Sequence, residues 1–139
     1  MEIERITLME AYLIETLRHA GISNEKILTT VDQGNFSVWE NVSDVFDYEQ
    51  LKPLYEADNQ RFKRILEDGY KIKFLTFPGL QRILSLLFDK RQEQDFTLGE
   101  KGISRLKLTN EEHVRLEQLL SPNWVIENEG DNIKITLKG

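Results

Sequence analysis

Apolar positions along the chain change their period several times, and each change marks an element. The densest stretch is 70–90, YKIKFLTFPGLQRILSLLFDK. It predicts a strand over 70–75, a capping Thr76 and a helix over 77–88, with Pro78 in the first turn where a missing N–H does little harm. On a helical wheel Leu80, Ile83, Leu84, Leu86, Leu87 and Phe88 cover more than half of the circumference, and Gln81, Arg82, Ser85 and Asp89 hold the polar remainder. Outside a membrane, a helix this apolar must be wrapped on several sides, so it is expected to be the hub of the core.

Upstream, Ile6, Met9, Leu13, Leu17 and Ala20 recur at spacings of three and four, which predicts a helix over 4–20 that Gly21 stops. Ser23 can cap a second helix, 24–31, burying Ile27, Leu28 and Val31. The pattern over 32–47 is mixed. Phe36 and Val38 alternate, whereas Val38, Val42 and Val45 keep helical spacing, so a short strand or irregular segment anchored by Trp39 is expected. Asp47 reads as the cap of a helix over 48–68, bent or restarted at Pro53, with Leu51, Leu54, Tyr55, Phe62, Ile65 and Leu66 on one face.

Downstream of a polar connection at 90–95, a short apolar run at 96–98 and a turn at 99–102 lead into an alternating strand over 103–108. Thr109 and Glu112 have the spacing of a capping box, and the helix they open runs to about residue 120, where Ser121-Pro122 stops it. Segments 124–127 and 132–137 then form a hairpin, with Ile133, Ile135 and Leu137 on the inner face. The expected fold is α+β. N-terminal helices and a small, mostly antiparallel sheet (70–75, 103–108, 124–127, 132–137) pack around the central apolar helix, and the C-terminal helix is followed by the β-hairpin. Length fits a single domain over 1–139, with a helical subregion 1–46 and an α+β core 47–139.

Composition narrows the chemistry. With no cysteine the chain has no disulfide, thiolate nucleophile or Cys-based metal site. No apolar run reaches the length of a membrane span, and the first residues lack the basic flank of a signal peptide, so a cytoplasmic protein without membrane contact is expected. The net charge of −6 is uneven: residues 1–69 hold 7 Lys/Arg against 14 Asp/Glu, and residues 70–139 hold 11 against 10. An acidic balance argues against nucleic acid as a partner.

No Gly-rich phosphate loop, GxSxG elbow or HExxH pair appears, and neither a catalytic residue, a metal site nor a cofactor is assigned. His19 closes the first helix, where an imidazole meets the carbonyl end favourably. His113 and Glu117, four apart, supply at most two ligands where zinc needs three or four. Asp58 projects into the apolar arc of the 48–68 helix, as a perturbed acid in a cleft or a polar register-setter at a helix contact. A small enzyme using Asp58 or His113 is therefore the third functional option.

The second option follows from the order helix–hairpin at the C-terminus, which is that of a winged-helix nucleic-acid binder, with Lys71, Lys73, Arg82, Lys90 and Arg91 as the basic set. Against it, the helix before the hairpin carries Glu111, Glu112 and Glu117, and the hairpin tip is Asn-Glu-Gly-Asp. The first option is a non-catalytic interaction or regulatory module whose partner is another protein or a second copy of the chain. Trp39 would be its aromatic anchor and Asp58 its polar contact.

Overall fold

A computed structural model describes residues 3–43, 45–92 and 94–138. Residue 44 in the 32–47 segment, residue 93 in the polar connection, and the outermost residues fall outside them. The fold is α+β, and the chain divides into two compact units, Met1–Tyr70 and Lys71–Gly139. The subregion border expected after residue 46 falls inside the first of these.

The first unit starts with a short strand, β1 (Glu4–Ile6), followed by helix α1 (Leu8–His19). The helix expected from residue 4 is thus shortened at its start. Thr7 takes an extended conformation and forms a full capping box with Glu10, and that pair of reciprocal bonds fixes the helix start more firmly than apolar spacing does. Helix α2 (Asn24–Gln33) is capped by Ser23 and runs two residues past its expected end, to Gly34, whose φ of 71° closes it in the left-handed region.

The 32–47 segment holds no strand among its described residues. It contains a 3₁₀ turn, Phe36–Trp39. The single helix expected over 48–68 is replaced by a 3₁₀ turn (Tyr48–Gln50) and two helices, α3 (Leu51–Ala57) and α4 (Asn59–Asp68). The break lies at Asp58 rather than Pro53. Asp58 is extended (φ −166°, ψ 100°) and its carboxylate accepts from the Arg61 N–H at 3.1 Å, so it caps α4. The apolar faces of the two helices still bury Leu51, Leu54, Phe62, Ile65 and Leu66.

One polar cluster holds this unit together. Glu15 is only 2% exposed on the buried face of α1. Its carboxylate accepts from Arg18 at 2.9 Å and from the Tyr70 hydroxyl at 2.5 Å. The same guanidinium donates to Leu66 O at 2.7 Å and to Asn24 Oδ1 at 3.0 Å, which ties α1, α2 and the end of α4 together. A buried carboxylate deprived of its cation loses several kcal/mol. Arg18→Ala is accordingly expected to lower stability by about 3 kcal/mol, read as a drop in the urea midpoint. An unchanged midpoint would mean that the guanidinium contributes nothing there.

The second unit opens with β2 (Tyr70–Ile72), which begins on the last residue of the first unit. β2 belongs with β1 to a two-stranded parallel sheet, a correction to its expected place in the antiparallel one, and it stops three residues short of 75. Helix α5 (Phe77–Phe88) has the bounds, Thr76 cap and early proline that its sequence predicts. Leu80, Ile83 and Leu84 have no exposed surface, while Leu86, Leu87 and Phe88 are half-buried, so enclosure is complete only over its first two turns.

After α5 come β3 (Thr97–Leu98), β4 (Gly102–Leu106), α6 (Asn110–Leu119), β5 (Trp124–Glu129) and β6 (Asn132–Leu137). The four strands form one antiparallel sheet in the order β3-β4-β6-β5. The capping box of Thr109 and Glu112 is present. In β4, strict alternation fails: Arg105 has φ 58° and the register with β6 shifts, so Ile103 and Leu106 are both buried although three apart.

Behind β5 the chain satisfies a buried backbone group pair with side chains. The Leu75 N–H donates to Ser121 Oγ at 2.9 Å, and the Leu75 carbonyl accepts from the Trp124 indole at 2.7 Å and from Asn123 Nδ2 at 3.2 Å. Among the described residues no helix is long and apolar enough to cross a membrane.

Candidate functional site

The expected chemistry-bearing residues are scattered. His19 lies exposed in the last turn of α1. His113 Nδ1 stands 3.2 Å from Glu117 Oε1 on α6, and among the described residues no group of three or more His, Asp or Glu side chains is arranged to hold a metal. Asp58 is exposed and caps α4, outside the apolar arc in which the wheel placed it.

The five basic residues all lie in the second unit. Lys71 donates to Leu120 O at 2.8 Å, Arg91 stands 3.9 Å from Asp89, Lys73 and Arg82 are exposed, and Lys90 is half-buried.

Trp39 sits differently. The 3₁₀ turn puts residues three apart on one side, which brings Phe36 and Trp39 edge to face at 6.0 Å. Tyr48, from the next 3₁₀ turn, meets the indole edge to face at 5.7 Å. These three rings and Phe46 line a cavity of about 340 Å³. Trp39 is 2% exposed and Tyr48 is buried too, so they form its floor; Phe36 and Phe46 are half-buried and keep part of their surface open.

The polar part of the lining is Ser37 and Ser43 with three acids, Glu40, Asp47 and Glu49. Asp47 uses one oxygen to accept from the Glu49 N–H at 3.1 Å. Among the described residues neither Glu40 nor Glu49 has a cation within ion-pair distance. Two exposed valines adjoin the aromatic positions in sequence, Val38 at 54% and Val45 at 75% exposure.

The floor is anchored from behind. The Thr16 hydroxyl donates to Tyr12 O at 2.7 Å, so in its 2.8 Å contact with Tyr48 the phenol is the donor and the threonine oxygen the acceptor. Burial pushes the Tyr48 phenol above its ordinary value. The exposed Tyr55 phenol is also raised, chiefly because it donates to Asp32 at 2.5 Å. An acid held protonated in the fold favours folding fully while both states keep the proton. That contribution drains away once the unfolded chain ionises, near pH 10. Stability is therefore expected to fall as pH rises through about 10, and Tyr48→Phe should soften the fall. Urea midpoints across the alkaline range check this; superimposable alkaline limbs would refute it.

Of the cavity's lining, the sequence singled out Trp39 alone. Phe36 and Tyr48 were visible as aromatic residues, but only two consecutive 3₁₀ turns bring them around the indole. Compared with protein families, curated proteins and solved structures, the chain matches none.

Proposed function

We propose that the chain is a non-catalytic protein-interaction or regulatory module and that residues 36–43 and 45–49 of its first unit are where the partner docks. The observation that carries this reading is the aromatic-lined cavity with Val38 and Val45 exposed beside its aromatic residues. Aromatic residues dominate the binding energy of protein interfaces. The partner is another protein, or a second copy of the chain. A chain without cysteine needs no oxidising compartment, and the cytoplasm is its proposed location.

A photo-crosslinking residue placed at Val38 or at Val45, in the cells that make the protein, tests the reading. Val114, equally apolar and 67% exposed on α6, is the control. The same adduct is expected from both valines and not from position 114. No adduct, or one indifferent adduct from all three positions, would overturn the proposal. Light scattering over a concentration series then separates a second copy from a different protein.

A further inference from the structure

We infer that the cavity formed by Phe36, Trp39, Phe46 and Tyr48 receives a lysine or arginine side chain from a basic segment of the partner protein. This rests on the reading of residues 36–43 and 45–49 as the docking surface. The cavity combines two features that favour a cation over other occupants. Aromatic faces attract a positive charge, by an amount that grows as the charge is desolvated. Carboxylates at the same opening attract it again, and those of Glu40 and Glu49 have no cation of their own among the described residues.

A volume of about 340 Å³ admits the long stem of such a side chain with its charged head. The stem can lie along the open surfaces of Phe36 and Phe46 while the head meets the acids. A phosphate or a carboxylate ligand would be repelled by the same three acids. The surrounding field has the matching sign, since residues 1–69 carry 14 acidic side chains against 7 basic ones. Such a field speeds the approach of a basic segment and makes binding salt-sensitive.

The indole of Trp39 provides the probe. With Trp124→Phe, Trp39 is the only tryptophan left. This protein is titrated with a flexible Gly/Ser peptide bearing adjacent lysine and arginine, and with the same peptide carrying glutamine at both positions. The basic peptide should change Trp39 emission saturably and the neutral one should not. Binding should weaken several-fold on raising the salt and about tenfold in Glu40→Gln/Glu49→Gln, from two lost charge contacts. Calorimetry on the unsubstituted chain makes the same comparison without the Trp124 change.

No saturable response to the basic peptide, an equal response to the neutral one, or indifference to loss of the two carboxylates would each overturn the inference. If crosslinks at Val38 and Val45 persist in that case, docking there stands and only the cationic occupant is wrong. If they are absent as well, both fall.

Discussion

Gly102→Ala is expected to destabilise the second unit by about 3 kcal/mol or more. Gly102 lies opposite Thr136 where β4 pairs with β6. A Cβ there would stand 1.9 Å from the carbonyl oxygen of Ile135 and 2.8 Å from Cα of Thr136. Both atoms are backbone, so neither can rotate aside as a side chain could. Either β4 lifts from β6 or the centre of the sheet bends, since β6 is paired on its other edge with β5. Gly99→Ala is the control: its Cβ would approach nothing nearer than 3.5 Å, ordinary contact. Urea unfolding of the two variants should show a large fall in midpoint for the first and little for the second. Equal midpoints would mean that the strands are not as close as described.

Trp124→Ala is expected to cost about 4 kcal/mol, from the cavity left by a large buried side chain. The indole is 5% exposed, stands edge-on to Phe77 at 6.0 Å and donates to the Leu75 carbonyl. Trp124→Phe keeps most of the volume and loses the donor. The carbonyl retains Asn123 Nδ2 at 3.2 Å, so it is not stranded, and the expected loss is about 1 kcal/mol. Packing therefore outweighs the hydrogen bond at this position. Denaturant titration of both variants measures the ratio. A phenylalanine as damaging as alanine would reverse that ranking and make the indole N–H the dominant contribution.

Elements whose signals are local and redundant were legible in the sequence. Helix 77–88 has a cap, an early proline and a wide apolar stripe, and it folds with the predicted bounds. The hairpin and the Thr109 capping box were equally plain. The same capping pattern occurs at Thr7 and Glu10, yet the apolar spacing that begins at Ile6 masks it. Asp58 misleads for a related reason. A wheel drawn through one long helix places it among apolar residues, but a side chain that can cap its own backbone ends one helix and starts another there. The shift at Arg105 leaves no trace in alternation, because a left-handed non-glycine residue is set by its partners in the sheet.

The candidate site was legible only as a residue and a charge. Trp39 and the acidic balance of the first half could be read directly. The cavity could not, because it is built from two 3₁₀ turns with no hydrophobic period of their own.

The most direct test of the site is to follow backbone amide and indole N–H resonances of the whole chain while the basic peptide is added. The account predicts shifts concentrated in residues 36–43 and 45–49 and at the Trp39 indole, with the Trp124 indole unmoved. Shifts gathered instead around Lys71, Lys73, Arg82, Lys90 and Arg91, or none at all, would contradict it.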